Sequence, residues 1–258
     1  MLFQITDPRT ARTHYLLGTM HLGNKEAYTF IEPILKALKQ CTAYAGEMNL
    51  DAAARSNISA SYPLPDGQTL QDWVSKRHFQ KLTQILKKAY QIDLEAVQHL
   101  RPMLINNLMA TRLLSKDNRP PLDQYLWEEA KAQGVNMYGV ETVEEQRLIL
   151  EHVPVKTQVK ALKKSCRQIS SYSKYVQKLS QTYASGDIQR LFQFTRKHMG
   201  GIRKMMIHQR NEVMLQRSIE YFKKEECIMI AVGAGHLGGN SGIRAGLLRN
   251  GFTVKAMK

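Results

Sequence analysis

The sequence has few cysteines and no long hydrophobic run, and these absences exclude several classes of protein. Its three cysteines, Cys41, Cys166 and Cys227, are odd in number and lack CxxC spacing. They predict neither a disulfide frame nor a zinc site, and they fit a reducing compartment. No apolar run approaches the ~20 residues that span a bilayer, so we predict no transmembrane segment.

The N-terminal residues MLFQITDPRTARTHYLL lack the charged segment and following apolar segment of a signal peptide. We therefore expect a cytoplasmic protein, with an exported or periplasmic location left open if the native chain starts further upstream. The length of 258 residues suits one α/β domain with helical insertions or two small domains, and we favour a single domain over 1–258. No sequence feature predicts an oligomeric state.

Acidic residues are scarce in one segment, and this scarcity produces most of the net charge of +15. Residues 155–211 contain thirteen lysines and arginines and one acid, Asp187, whereas residues 117–151 contain eight acids and three bases. One interpretation is a basic helix packed beside an acidic one, with the remaining charge on an ordinary solvated surface. The other is a cationic surface for an acidic partner or a membrane surface. Nucleic acid is disfavoured as a partner because no aromatic-rich RNA-binding pattern or zinc finger accompanies the charge.

Short apolar runs rich in β-forming residues lie mainly towards the two ends of the chain. They predict strands over 14–19, 42–48, 135–141, 227–233 and 252–257. The pattern between them is helical, with segments at 29–40, 68–90 (two short helices), 102–115 and 122–133, one helix of roughly eight turns over 155–183, and a break at Gly200–Gly201. We therefore predict an α/β fold with some α+β character. Its central sheet combines N- and C-terminal strands, and a helical insertion of approximately 60–225 forms a cap or lateral layer.

A phrase that occurs near both ends of the chain is the most informative feature. LLGTMHLG at 16–23 and VGAGHLGG at 232–239 both place His three residues after Gly, and each overlaps the end of a predicted strand. The second phrase also spells G-x-G-x-x-G, but no Asp or Glu follows Glu226 to bind a ribose, so a dinucleotide site is disfavoured. Ligands of α/β sheets bind at the carboxyl ends of strands, and we expect His21 and His236 to meet there.

Two neighbouring histidines suit a metal site or a catalytic pair, although a single histidine in such a turn is more often structural. Imidazole binds Zn, Mn, Co and Fe, and a hydrolytic metal needs about three protein ligands and an open position for water. Glu47 is the leading third ligand because it lies at the end of strand 42–48, and Glu141 is the second candidate because it ends 135–141. The other histidines, at 14, 78, 99, 152, 198 and 208, lack this context, and we interpret them as surface or structural.

Several segments together resemble TraB/GumN proteins, the family that includes Tiki proteases and pheromone-shutdown proteins. They are YLLGTMHLG at 15–23, EMNLD at 47–51, PPLDQYL at 120–126, GVETVEEQ at 139–146, YASGD at 183–187, RNEVM at 210–214 and VGAGHLGGNSGI at 232–243. The resemblance runs nearly end to end, and its detail is most similar to the bacterial GumN branch. Paired Gly-x-x-His motifs with an intervening Glu are the hallmark of this family.

The resemblance implies a metal-dependent hydrolase, with a peptidase as the leading type, acting on a peptide or small molecule. It implies an α/β sheet with two related halves, shared with erythromycin-esterase-like and haem-binding ChaN-like proteins. The metal would be bound by His21, Glu47 and His236, with Mn or Co suggested by the Tiki branch and Zn as a further option. An Arg in a late helix is implicated in the family, and Arg210 is the match.

We expect catalytic roles for Glu47, Glu141 and Arg210. A carboxylate, Glu141 or Glu47 itself, would take a proton from water, and Arg210 would stabilise an oxyanion or hold an acidic substrate group. Two simpler alternatives remain, because Glu141 could cap the helix that follows it and Arg210 could pair with an acid of 117–151. Residues assigned to substrate binding are Gly18, Gly233 and Asn211.

Two alternative functions remain open. A metal-independent, erythromycin-esterase-like hydrolase would use one His as the base on water, with carboxylates orienting it. A non-catalytic protein would bind a peptide or tetrapyrrole between the helices and the sheet, in a pocket lined by methionines. The methionines considered for that pocket are Met103, Met109, Met199, Met205, Met206 and Met214.

Overall fold

A computed structural model describes residues 1–55, 62–114, 119–199 and 204–257, apart from the side chains of 197–199, 204 and 205. The predicted break at Gly200–Gly201 and the side chains of Met199 and Met205 lie outside the described residues. The described residues form a mixed six-stranded sheet flanked by helices, which confirms the predicted α/β class.

The sheet is built so that several strands end at the same edge. It consists of β1 (Leu2–Thr6), β2 (Thr13–Thr19), β3 (Ala43–Met48), β4 (Asn136–Glu141), β5 (Ile228–Gly233) and β6 (Thr253–Ala256). The order across the sheet is β4-β3-β5-β2-β1-β6. Strands β4, β3, β5 and β2 run parallel, whereas β1 is antiparallel to both β2 and β6. The carboxyl ends of the parallel strands therefore share one edge, where ligands bind in open α/β sheets.

Helices fill the chain between the strands. They are α1 (Ile31–Leu38), α2 (Leu50–Arg55), α3 (Lys76–Tyr90), α4 (Leu94–Val97), α5 (Pro102–Leu114), α6 (Leu122–Ala132), α7 (Val143–His152), α8 (Val155–Arg167), α9 (Ile169–Ala184), α10 (Ile188–Met199), α11 (Arg210–Lys224) and α12 (Ile243–Arg249). Short 3-10 turns occupy Pro65–Gly67, Leu70–Trp73 and Ala234–His236, and a π-helical turn, Lys204–Gln209, precedes α11. In the described part of the chain, no helix is both long and apolar enough to cross a membrane.

The buried apolar residues form two clusters, one around the sheet and one within a lateral layer of helices. The first contains the apolar faces of the strands and buried residues of α1, α6, α11 and α12. The second joins buried residues of α3, α5 and α8 with Leu64 and Leu70. The helices of this second cluster lie within 60–225, the range of the predicted helical insertion, but β4 also lies in that range and belongs to the sheet.

The five predicted strands are present within one residue of their predicted ends, and one strand was missed. The missed strand is β1, which has the sequence LFQIT and lies at the start of the chain. It is nevertheless largely buried because it pairs with both β2 and β6. Residues 68–90 contain one 3-10 turn and one helix of fifteen residues, rather than two short helices.

The single long helix predicted over 155–183 is wrong, because the chain breaks at Gln168 (φ −115°, ψ 50°). Ile169, which the helical periodicity places in the core, is 36% exposed. The break redirects α9, and the hydroxyl of Tyr183 then donates a hydrogen bond to the carbonyl of Gly18 at 2.8 Å. This contact joins the end of α9 to the sheet edge, and periodicity alone does not reveal it.

Candidate active site

The two Gly-x-x-His phrases lie side by side because they end adjacent parallel strands, β2 and β5. Thr19 pairs with Gly233 in the sheet register. The second phrase turns over the first, so that a Cβ at Gly18 would lie 2.8 Å from Leu237 Cδ1 and 3.0 Å from Ala234 Cβ. Glycine at position 18 is therefore needed for the 3-10 turn after β5 to pack onto the end of β2.

His236 is buried and held in one tautomer. The side-chain amide of Asn211 donates to the carbonyl of Ser241 at 2.7 Å, so its Oδ1 faces His236. His236 Nδ1 lies 2.6 Å from that oxygen and carries the proton of this hydrogen bond. Burial lowers the pKa of His236 to about 4, although Glu47 opposes the effect, and the neutral ring keeps its lone pair on Nε2.

His21 has the opposite environment, although it comes from the same phrase. Its side chain is 62% exposed, and its Nδ1 lies 2.9 Å from Oδ2 of Asp123 on α6. Attraction to this carboxylate raises the pKa of His21 to about 9. Because a carboxylate only accepts hydrogen bonds, Nδ1 donates, and Nε2 is left on the side of the ring that faces Gly233.

Glu47 lies near the end of β3, and groups from three other segments fix its carboxylate. Oε2 accepts a hydrogen bond from the N–H of Gly233 at 2.7 Å, and Oε1 accepts from Arg210 and, at 3.4 Å, from Gln146. Burial by itself would raise the pKa of Glu47, but Arg210, the two histidines and the Gly233 N–H outweigh it and hold the pKa well below its ordinary value. Glu47 is therefore an anion whose two oxygens already have partners.

Arg210 links the two predicted carboxylates into one buried network. Its Nε donates to Glu141 Oε1 at 2.9 Å, and its Nη2 donates to Glu141 Oε2 at 2.6 Å and to Glu47 Oε1. The side chains of Arg210, Glu141 and Glu47 are only 10%, 2% and 13% exposed. Burial opposes the charge of Arg210, yet the two carboxylates outweigh it and raise its pKa. Arg210 thus pairs with an acid of the 117–151 segment, as the simpler alternative predicts.

Glu141 does not cap the helix that follows it, so that alternative is wrong. The N-cap of α7 is Thr142, whose hydroxyl accepts from the N–H of Glu145 at 3.1 Å, while the Glu145 carboxylate accepts from the N–H of Thr142 at 2.8 Å. The side chain of Glu141 points to Arg210 and also accepts from Gln146 Nε2 at 3.2 Å.

The site converges on the space above Gly233. A Cβ built there would lie 3.1 Å from Glu47 Oε2, 3.6 Å from His236 Cδ2 and 4.0 Å from His21 Nε2. Glycine leaves this point open between the three side chains. The adjoining cleft has a volume of about 80 Å³ and is lined by His21, Glu47 and Trp127, among others. This volume is well below the ~300 Å³ at which drug-sized ligand pockets begin.

The three residues predicted to bind substrate differ in their access to this space. Gly233 borders it directly. Gly18 lies beneath the second turn, and its carbonyl accepts from Tyr183. Asn211 is 3% exposed and engages His236 from behind. The geometry makes Asn211 a residue that positions His236, one layer away from the open space.

Two site residues were missed in the sequence, namely Asp123 and Gln146. Asp123 fixes the His21 ring, and Gln146 bridges the carboxylates of Glu47 and Glu141. Both lie in segments that carry the family resemblance, PPLDQYL and GVETVEEQ, which was the available signal. Their roles depend on how closely α6 and α7 approach the sheet edge.

The donor set for a metal is only partly assembled. Residues 1–55, 62–114, 119–199 and 204–257 contain no group of three His, Cys, Asp or Glu side chains that could hold a metal ion. Both histidines nevertheless have Nδ1 bound to an acceptor, as metal-binding histidines almost always do. The carboxylate oxygens of Glu47, the predicted third ligand, instead accept hydrogen bonds from Arg210 and the N–H of Gly233.

The basic segment exposes its charge. Lys156, Lys160, Lys164 and Arg167 of α8 are exposed and follow one another at intervals of three or four residues. Among the described side chains, no base of 155–196 forms an ion pair with an acid. Charge pairing with an acidic helix therefore does not account for the described part of this segment.

Comparisons with known proteins reach most of the chain. The sequence model of the TraB/PrgY/gumN family matches residues 1–256. The protein named "Metalloprotease TIKI2" from Xenopus tropicalis is 25% identical over 315 aligned residues, which cover 95% of this chain and 58% of that protein. The chain thus spans little more than half the length of this relative. No solved structure matches the chain.

Proposed function

Because the chain belongs to the TraB/PrgY/gumN family, we propose that it is a hydrolase whose reaction takes place above Gly233, with peptides as the substrate class. The observation that carries the proposal is the meeting of His21, Glu47 and His236 around one open point. The relative in Xenopus is named a metalloprotease, which favours peptides. A small-molecule substrate is the alternative, and it suits the small cleft.

We further propose that His21, Glu47 and His236 bind a divalent cation, with Mn or Co as first choices and Zn as a further option. The donor types fit, because another residue holds the Nδ1 of each imidazole and leaves Nε2 for the cation. His21, whose pKa is raised to about 9, would have to lose its Nε2 proton when the cation binds. Glu47 would have to supply an oxygen that now accepts from Arg210 or Gly233. A cation bound there would lower the pKa of a water molecule and polarise a carbonyl.

The residues of the chain have separable tasks in this proposal. Neutral His236 presents the lone pair of Nε2, and Asn211 holds the ring in that orientation. Arg210 donates a hydrogen bond to Glu47 and holds it in place, and the positive charge of Arg210 is balanced by both Glu47 and Glu141. Because its Nε and Nη2 donate to carboxylates, Arg210 acts as a positioning residue here, rather than as the oxyanion-binding group expected from the sequence.

A metal-independent hydrolase is the second candidate, and the incomplete ligand set favours it. In this mechanism His236 Nε2 accepts the proton of an attacking water, because the ring is neutral and fixed. Protonated His21 donates a hydrogen bond from Nε2 to the substrate carbonyl or leaving group. Glu47 stabilises the positive charge that His236 acquires.

A non-catalytic binding protein receives less support. Met109 and Met214 are buried in different hydrophobic clusters and therefore do not line one pocket. The cleft beside His21 is also small for a tetrapyrrole, with a volume of about 80 Å³.

For the basic segment we propose an anionic partner, either an acidic protein or a membrane surface. The exposed row on α8 and a groove lined by Lys174, Lys178 and Arg190 offer positive charge to solvent. The test is binding to vesicles with and without anionic lipid, and to an acidic polypeptide, over a range of salt concentrations. Charge reversal at Lys156, Lys160 and Lys164 should abolish a real interaction, and binding that survives both the reversal and high salt would contradict it.

The experiment that tests the hydrolase proposals combines metal content with peptide hydrolysis. Protein purified without a His-tag is offered Mn, Co and Zn, and its bound metal is measured for the wild type and the His21→Ala/His236→Ala variant. The exposed His99 provides a matched control, His99→Ala. The same proteins and the single variant His236→Ala are then assayed for hydrolysis of a peptide library and of esters, with and without each metal.

Near-stoichiometric metal that disappears only in the double variant supports the metal site. Hydrolysis without metal that is lost in His236→Ala supports the metal-independent mechanism. Hydrolysis that both substitutions leave unchanged, or no hydrolysis of any peptide or ester offered with each metal, would overturn the assignment of the reaction to this site.

A further inference from the structure

Two cysteines that are far apart in sequence are in contact at the opposite edge of the sheet. Cys41 precedes β3 and Cys227 precedes β5, and their Sγ atoms lie 3.5 Å apart. The backbone holds them there, because the N–H of Thr42 donates to the carbonyl of Cys227 at 2.8 Å. Cys41 and Cys227 precede the paired strands β3 and β5. Paired strands lie about 4.8 Å apart, and this spacing is within the ~4.4–6.8 Å that separates the Cα atoms of disulfide-bonded cysteines.

The two thiols differ in access and in acidity. Cys41 is 7% exposed, whereas Cys227 is half-buried and reachable by a small reagent. The hydrogen bond with Cys41 lowers the pKa of Cys227, which makes Cys227 the better nucleophile of the pair. The third cysteine, Cys166, is 1% exposed in the lateral helical layer, and burial raises its pKa to about 12.

We propose that Cys41 and Cys227 form a reversible thiol–disulfide pair that a small disulfide such as glutathione disulfide oxidises. The Cys227 thiolate attacks one sulfur of the small disulfide, forms a mixed disulfide and releases one thiolate. Cys41 then loses its proton and attacks the Cys227 sulfur of the mixed disulfide, releasing the second small thiol. The protein loses two protons and two electrons, and the small disulfide takes them up to give two thiols.

The bond would join the two strands that support the candidate site. The carboxyl-terminal part of β3 carries Glu47, and β5 ends at Gly233. The link would close a loop between positions separated by 186 residues, which restricts the unfolded chain strongly. The oxidised protein should therefore melt at a higher temperature, and this effect is independent of the reaction at the other edge.

The test is a redox titration of the full chain with glutathione and glutathione disulfide, followed by intact mass, mapping of linked peptides and thermal melting. The variants are Cys41→Ser, Cys227→Ser and the matched control Cys166→Ser. The wild type and Cys166→Ser should lose the mass of two hydrogens, yield a Cys41–Cys227 linked peptide and melt higher, and a reductant should reverse these changes.

The single variants report each half of the reaction. Cys41→Ser should accumulate one glutathione adduct at Cys227, and Cys227→Ser should react slowly or not at all. A wild type that stays reduced throughout the titration, or that keeps a stable glutathione adduct with no internal link, would overturn the proposal. All readouts are chemical or thermal, so failure of the hydrolase assignment would not affect them.

Discussion

Replacing Arg210 by Met should destabilise the fold far more than an ordinary loss of an ion pair. The substitution keeps an unbranched apolar stem but leaves Glu47 and Glu141 as two carboxylates, 13% and 2% exposed, without their shared counter-charge. Removing one partner of a buried ion pair costs about 3–5 kcal/mol of unfolding free energy. For a chain of this size each kcal/mol lowers the melting temperature by about 2–4 °C, so a decrease of roughly 6–20 °C is expected.

A second substitution separates charge from packing. If the cost comes from two unpaired carboxylates, Glu141→Gln should rescue part of the loss when it is added to Arg210→Met. The double variant should recover at least ~1 kcal/mol, because one buried charge has been removed. Urea unfolding at pH 7, monitored by circular dichroism, measures all three proteins.

Arg217 provides the matched control because it lies on the same helix, α11. It pairs with Glu145, but these side chains are 30% and 36% exposed, so Arg217→Met should cost only about 1 kcal/mol. Equal losses for the two arginine variants would refute the reasoning. So would a Glu141→Gln substitution that deepens the loss in the Arg210→Met background.

Two further predictions concern a glycine and a histidine. Gly233→Ala should abolish metal binding and turnover with little loss of stability, because the new methyl would occupy the space 3.1 Å from Glu47 Oε2. The control is Gly235→Ala, whose Cβ would meet only Ile207 at 3.8 Å and which should leave metal binding and turnover unchanged. Calorimetric titration measures metal binding, and thermal melting measures stability. Burial lowers the pKa of His14 to about 4, so the unfolded chain binds more protons and the fold should lose stability as pH falls from about 6.5 to 4, by up to ~3 kcal/mol. His14→Phe should reduce the loss of urea stability over that pH range and leave the part that is due to His236, whose pKa is also lowered to about 4. His99→Gln should leave the pH slope as it is, and an unchanged slope in His14→Phe would contradict the buried neutral state of His14.

The local sequence pattern was sufficient to predict strands and helices that follow a simple hydrophobic period. It was insufficient where the structure depends on residues that are distant in the sequence. β5 could be predicted because IMIAVG is apolar throughout, as expected for a central strand buried on both faces. The break at Gln168 could not, since the apolar period of α8 continues in the sequence through Ile169. The contact of Tyr183 with Gly18 joins residues 165 positions apart, and no local signal carries it.

The site shows the same division. His21, Glu47 and His236 each lie at or just beyond the end of an apolar strand, so the sheet topology brings them together once the strands are recognised. Asp123 lies near the start of α6, where an acid is also expected merely as a favourable helix N-terminal charge. Its contact with His21 depends on how α6 packs against the end of β3, which is a property of the tertiary structure.

The duplicated phrase produces two histidines with different chemistry, and the neighbours beyond the sheet are the reason. The segment after β2 emerges beside α6, where His21 stays open to solvent and meets an anion, Asp123. The turn after β5 packs beside α11, where burial and the neutral amide of Asn211 keep His236 uncharged. The pKa of His21 is raised and that of His236 is lowered within one site, which suits His21 as a proton donor and His236 as a proton acceptor. Exchanging Asn211 for Asp would remove this contrast, because a second carboxylate would favour the charged form of His236 as well.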